Sequence, residues 1–524
     1  MNNIKILDCT LRDGGYVNDW SFGKKNIKKI IRRLIDSNVD AIEIGFFEDA
    51  EYNENRTFFS CLEDISSLSI GSSRKTKIVG MTRLNKLNID HLKENDGKTL
   101  DLIRVTFHID EIEEAITYCQ QIQGKGYDVS VQPVGTTSYT DEELLRLIGY
   151  VNELEPYAFS IVDTLGVMTK KDIYRFLHLI DHNLKSGIGI GFHSHNNLQL
   201  SLSNAQEIIE FNLDREVIID ASIHGMGRGA GNLHTELLAQ LINSKGDKRY
   251  DLIPLVEIID NYIMFAKSEY EWGYSIPYYL AAIKKCHPNY ASFLMNKKTL
   301  DIGSISHILH ELPSGERERF NETLAKEVYS KFQSHYVDDN EVIEYFTETF
   351  KHKEVLILAP GNSIVEERNY VQEYIDNNNP IVISINFVPE YYKVQYSFFS
   401  NIKRYKNCDN LNFENTITTS NIQDTAPQYC INYSKYLNDF ENVKDNAVLM
   451  CLELLRKIKL QKIIFAGFDG YRIDANSIHY RRSEMETQLE DKFYLEMNDG
   501  ISKYISGYRK QKEIDFLTDS IYNI

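Results

Sequence analysis

Leu7-Asp8-Cys9-Thr10-Leu11-Arg12-Asp13-Gly14-Gly15-Tyr16 carries a short apolar run into an Arg-Asp pair and two glycines. Apolar, β-branched runs recur at Ile4 to Thr10, Ala41 to Phe46, Lys77 to Thr82, Asp101 to Phe107, Asp128 to Val134, Ala158 to Thr164, Gly189 to Asn196 and Glu216 to Ile223. Stretches of helical periodicity, such as Lys25 to Ser37 and Ile109 to Gln123, separate them. This alternation predicts parallel βαβ units closing into a TIM (β/α)8 barrel. Chemistry in such a barrel lies at the carboxyl ends of the strands, where Arg12, Asp13, His193 and His195 all fall.

Gly191-Phe192-His193-Ser194-His195-Asn196 sets two imidazoles two residues apart, so both face one side of the seventh strand. Two ring nitrogens and a carboxylate suit Mn2+, Zn2+ or Fe2+, and open positions on such an ion let a substrate chelate. The run from Asp220 to Asn232 enters a glycine-rich turn, where backbone approaches something closely or takes positive φ. It ends on Asn232, an available amide ligand. Asp163-Thr164 sets an acid and a hydroxyl at the end of the sixth strand, a pair that a helix cap explains equally well.

Four motifs in order, Thr10-Leu11-Arg12-Asp13-Gly14, Asp163-Thr164-Leu165-Gly166, His193-Ser194-His195-Asn196 and Gly225-Met226-Gly227-Arg228-Gly229-Ala230-Gly231-Asn232, resemble the DRE-TIM metallolyase superfamily. That superfamily includes HMG-CoA lyase, isopropylmalate synthase and 4-hydroxy-2-oxovalerate aldolase, and the last motif is most similar to the aldolases. Gly273 to Tyr278 and the helical stretch through Leu312 resemble their small helical extension over the barrel mouth, so the likeness covers about residues 1–330. The resemblance implies Asp13, His193 and His195 as metal ligands, with Asn232 as a further one. It also implies Arg12 as the group that stabilises a pyruvate enolate, and Thr164 and Tyr278 as substrate contacts. The implied cofactor is a divalent metal, Mn2+ first, with Mg2+, Co2+ or Zn2+ as alternatives.

The sequence departs from the aldolases at Tyr16, which stands where they have a histidine base. A phenol titrates near pH 10 and needs help from the metal or Arg12 to take a proton at neutral pH. Tyr16 either serves as the base or shapes the aldehyde pocket while His108 or a metal-bound water carries the proton.

At 524 residues with 42% apolar content, the chain exceeds one barrel and can fill two cores. We read residues 1–250 as the barrel, 251–350 as helical extension and linker, and 351–524 as a Rossmann-like α/β domain. A net charge of −18 argues against nucleic acid or membrane surfaces as partners. The chain enters its first strand directly and has no long apolar run, so neither signal peptide nor membrane span is expected. Seven scattered cysteines suit reduced thiols in a cytoplasmic protein.

In the second domain, Glu354 to Leu358 runs into Ala359-Pro360-Gly361-Asn362-Ser363, a turn that can seat a phosphate on backbone N–H groups. Ile381 to Asn386 and Lys462 to Gly470 read as further parallel strands. The layout resembles bacterial sialyltransferase-like and pterin-diphosphokinase-like domains. That likeness implies Gly361, Asn362, Ser363 and Asn386 near a nucleotide or nucleotide sugar, with His479 in the place of a catalytic histidine; a surface histidine is the plainer reading.

The expected activity is a class II pyruvate aldolase that forms or cleaves a 4-hydroxy-2-oxoacid through a metal-stabilised enolate, using a small 2-oxoacid and an aldehyde. A cell-surface sugar pathway would suit the second domain, and the resemblance implies a homo-oligomer. The alternatives are an acyl-CoA-dependent synthase or lyase of the same superfamily, a barrel inactive beside a glycosyltransferase-like domain, and a channelling partner of an aldehyde dehydrogenase.

Overall fold

The computed structural model describes residues 3–71, 74–246, 248–409, 411–423, 427–471 and 491–523. Eight parallel strands form the first sheet: β1 Ile4–Asp8, β2 Ala41–Phe47, β3 Lys77–Arg83, β4 Leu102–Phe107, β5 Asp128–Pro133, β6 Ala158–Asp163, β7 Gly189–Ser194 and β8 Val217–Ala221. Each pairs with its neighbour in sequence, β8 pairs with β1, and β1 pairs with β2 through Leu7–Ala41 and Asp8–Ile42, so the barrel closes. A two-residue strand, Phe58–Phe59, adds to β2. Gly45 permits this, since a Cβ there would meet the Thr57 carbonyl oxygen at 2.0 Å.

Leu7, Ala41, Val79, Leu102, Ala158 and Ile218 form one buried apolar cluster, drawing one residue from each of six strands. Two residues further along β2, β4 and β8, on the same side of each strand, come Glu43, Arg104 and Asp220, each at most 2% exposed. The interior is therefore apolar below and charged above. Outer helices bury their apolar stripes against the other strand faces. One of them, Asp141–Leu154, sinks Leu144, Leu147, Ile148, Val151 and Leu154 and is fixed at its start by Thr140. Thr140 Oγ1 accepts from Glu143 N at 3.2 Å while Glu143 accepts from Thr140 N at 2.9 Å, a reciprocal cap.

The chain divides into two compact units, 1–291 with 314–320, and 292–313 with 321–524. Within the segment 251–350, expected as helical extension and linker, helices Leu252–Ile258 and Ile276–Ile283 fall in the barrel unit, while Glu322–Gln333 and Asn340–Phe350 fall in the second. Helical periodicity marks these pieces as helices but carries no information about which core each one covers.

Among its described residues the second unit holds seven parallel strands, β9 Glu354–Leu358, β10 Ile381–Ile385, β11 Tyr396–Phe399, β12 Thr416–Thr419, β13 Tyr429–Ile431, β14 Lys462–Ala466 and β15 Ile514–Phe516, in the order β13-β12-β11-β10-β9-β14-β15. Val355, Ile357, Ile383, Ile463 and Phe465 enter one core cluster, and Leu356, Leu358, Val382 and Ile464 enter another. The sheet is covered on both faces, as an open parallel α/β sheet must be. No helix among the described residues is long and apolar enough to cross a membrane.

Candidate metal centre

Arg12 and Asp13 lie in the turn after β1, His193 lies near the end of β7 and His195 just beyond it. One donor atom from each of Asp13, His193 and His195 falls within 4.8 Å of the others, and all three side chains are buried. His195 pairs through its backbone with Asn232, bringing the end of the glycine-rich turn to the cluster. Asn232 Nδ2 donates to Asp13 Oδ2 at 2.6 Å, while Asn232 Oδ1 and His195 Nδ1 are buried with no hydrogen-bond partner among the described residues. Buried lone pairs without partners are costly, and a cation would satisfy them. Glycine at 227 lets the turn come this close, because a Cβ would stand 2.4 Å from Asn232 Nδ2 and 2.9 Å from Asp13 Oδ2 and something would have to shift.

A chain of buried charge holds the cluster from below. Arg12 Nη1 donates to Asp13 Oδ1, and Arg12 Nε to Glu43 Oε2 at 2.6 Å. Arg104 donates to Glu43 Oε1 at 3.0 Å and to Asp220 Oδ2 at 2.5 Å, and Asp220 Oδ2 accepts from His193 Nδ1 at 2.9 Å. Three carboxylates (Asp13, Glu43, Asp220) face two guanidiniums (Arg12, Arg104), which leaves one negative charge uncompensated. Burial works to raise the Asp13 carboxyl, but Arg12, both imidazoles and the Asn232 amide hold it well below the usual carboxylate range. Burial pushes His195 down to about 3, against the pull of Asp13, so its imidazole is neutral at physiological pH.

Glu43 and Arg104 belong to none of the four motifs, although each is a lone charge inside an apolar strand, Ala41-Ile42-Glu43-Ile44 and Leu102-Ile103-Arg104-Val105. That interruption was the available signal.

Tyr16 is 41% exposed, packs edge-on to Trp20 at 4.7 Å and lines a cavity of about 280 Å3 that Tyr278 also lines. The Thr164 hydroxyl accepts from Gly135 N at 2.9 Å. The charged groups around His108 are Arg319, Glu111, Asp110 and Glu318, none of them in the metal cluster, and burial and Arg319 lower its pKa. A second group, His224, His234 and Glu236, is knit internally: Glu236 already accepts from His224 N at 3.0 Å and from His234 Nδ1 at 3.1 Å.

In the second unit, Ser363 N and its hydroxyl donate to Asp469 at 2.9 and 2.5 Å. The chain's own carboxylate occupies the place expected for a phosphate. A Cβ on Gly361 would collide with Asp469 Cγ at 2.5 Å, so that glycine serves the internal contact. Asn386, at φ +59°, accepts from Ser400 N at 3.1 Å. His479 lies outside the described residues.

The HMGL-like family model matches residues 3–261. Over this part the chain is similar to the HMGL-like family. Over 250 residues it is 24% identical to oxaloacetate decarboxylase of Mycobacterium tuberculosis, covering 46% of this chain and 70% of that relative. It is 25% identical over 249 residues to 4-hydroxy-2-oxovalerate aldolase of Geobacillus genomosp. 3, covering 46% and 71%. The crystal structure of the N-terminal domain of a candidate aldolase from Bacteroides vulgatus aligns with a TM-score of 0.50 at 27% identity, over 58% of this chain and 99% of that one. The barrel is thus similar to proteins named aldolase and decarboxylase, and its donor set fits a divalent metal.

Proposed function

We propose that the barrel is a divalent-metal-dependent aldolase joining pyruvate, or a close 2-oxoacid, to an aldehyde, or cleaving the resulting 4-hydroxy-2-oxoacid. One observation carries this reading: a buried set of Asp13, His193, His195 and the Asn232 carbonyl oxygen, one negative charge in excess, with the Arg12 guanidinium against it. A bound divalent ion would supply Lewis-acid polarisation of the 2-oxoacid carbonyl. Donor type alone admits Mn2+, Co2+ or Zn2+, with Mg2+ less suited to two imidazoles.

Arg12 supplies fixed positive charge where negative charge develops on the keto oxygen. Its Nε and Nη1 are held by Glu43 and Asp13, which leaves Nη2 for substrate and orients the fork in advance. The Thr164 hydroxyl, whose oxygen accepts from Gly135, keeps its own hydrogen for the 2-oxoacid carboxylate. Tyr16 and Tyr278 bound the space left for the aldehyde.

The test is loss of the pyruvate methyl signal in D2O, followed by proton NMR with metal-loaded and metal-stripped protein, then with aldehydes added. Metal-dependent exchange, slowed on the order of 10²-fold by Arg12→Ala, supports the reading. No exchange with pyruvate or 2-oxobutyrate would overturn it. Exchange without condensation on any aldehyde, together with CO2 release from oxaloacetate, would move the assignment to decarboxylation.

A further inference from the structure

The turn that shapes the metal cluster also carries Arg228, one residue from Gly227 and its close approach to Asp13. Arg12, Arg83 and Arg104, in the same unit, each have a carboxylate oxygen within 3.0 Å. Arg228 has none within 4.0 Å among the described residues and makes no side-chain hydrogen bond there; its guanidinium lies over the Tyr16 ring, 5.6 Å from the centroid. Part-buried cations without a partner anion are uncommon, because desolvation is then unrepaid.

The space in front of Arg228 is the cavity of about 280 Å3, lined by Tyr16, Arg228, Tyr270, Glu271, Tyr278 and Asn289. It sits near the lower end of the roughly 300–1,000 Å3 typical of small-molecule sites, which restricts an occupant to a short chain. Gly229, at φ +67°, places the turn beside Tyr278, where an ideal Cβ would stand in ordinary van der Waals contact with that ring at 3.5 Å. Among the described residues Glu271 is the one carboxylate lining the cavity; it is exposed, acts on Lys267, and does not pair with Arg228. The cavity therefore presents a guanidinium, phenols and an amide beside the metal cluster.

Resting on the aldolase reading, we infer that Arg228 is the anion receptor of an acceptor subsite, so that the aldehyde joined or released here carries a carboxylate or a phosphate monoester. In the forward direction the new bond links the methyl carbon of the 2-oxoacid to the aldehyde carbon. The methyl carbon loses a proton, the aldehyde oxygen gains one, and the anionic group takes no part. Arg228 is thus a specificity residue, matched to a charge remote from the reacting atoms.

The experiment uses the full chain with pyruvate and Mg2+ or Mn2+ and two matched acceptor pairs, butanal with succinic semialdehyde and glyceraldehyde with glyceraldehyde 3-phosphate. In wild type, kcat/KM for the charged member of one pair should exceed that of its neutral partner by roughly 10–100-fold, the range of a charge-assisted hydrogen bond. The pair that shows the preference identifies carboxylate or phosphate. Arg228→Ala should bring that ratio to near unity, and Arg228→Lys should restore part of it. Equal use of neutral and charged acceptors, an unchanged ratio in Arg228→Ala, or a rise in KM for pyruvate alone would overturn the inference. Absence of pyruvate methyl exchange in wild type is a separate result, and it removes the aldolase reading and this subsite together.

Discussion

Asp220 Oδ2 accepts a hydrogen bond from His193 Nδ1 at 2.9 Å. A carboxylate held ionised by Arg104 can only accept, so the imidazole carries its proton on Nδ1 and keeps the Nε2 lone pair for a ligand. Asp220 therefore sets the tautomer of a metal ligand without being one.

Replacing Asp220 by Asn should weaken metal binding about 10–100-fold, the usual effect of losing such an outer partner. It also strips Arg104 of a buried counter-charge, which should cost about 3–5 kcal/mol of stability. Equilibrium dialysis with Mn2+ and urea unfolding separate the two effects; unchanged affinity would remove the tautomer role.

His195→Ala should lose its metal on gel filtration and all turnover while the barrel stays folded, because the side chain packs no hydrogen-bonded partner at Nδ1. Elemental analysis beside circular dichroism checks it. Retained metal with full turnover would refute the ligand assignment.

Gly227→Ala should damage the site without removing a donor. Its Cβ would press on Asn232 Nδ2 and Asp13 Oδ2, so the Asn232–Asp13 hydrogen bond must break or the turn must shift. Metal affinity and exchange rate should fall together; wild-type values for both would show that the turn yields freely.

Asp8 provides a pH test away from the metal ligands. Burial raises its carboxyl from 3.8 to about 6, partly offset by hydrogen bonds from Thr235 and Thr10. Between those two values the folded chain binds the proton that the unfolded chain has released, so this group lowers stability as pH rises from about 4 to 6. Asp8→Asn should therefore gain stability relative to wild type on going from pH 4 to pH 7.5, by on the order of 2–3 kcal/mol. Urea midpoints at the two pH values measure it, and a constant difference would contradict the raised pKa.

The barrel was legible because its evidence is local. Alternation within runs such as Ala158 to Thr164, and helical spacing between them, read the same in the sequence as in the fold, and the eight strands appear within a few residues of their expected bounds. In the second unit three strands were legible. β11, β12, β13 and β15 span only three or four residues with serine, threonine and aspartate among them, too short for a period to show.

The amino-acid sequence by itself determined the barrel and the positions of Arg12, Asp13, His193, His195 and Asn232 at its mouth, because strand order and a two-residue spacing put them there whatever surrounds them. Only the tertiary structure decided which charges meet. Glu43 joins Arg12 across 31 residues and Arg104 across 61, and Arg104 joins Asp220 across 116. Such pairings depend on barrel closure and register, which no local pattern encodes. For the same reason the glycine turn at Gly361 is filled by Asp469, 106 residues from Ser363, while Arg228 is left facing an open cavity. Partnership is a property of the folded surface, fixed when distant segments pack.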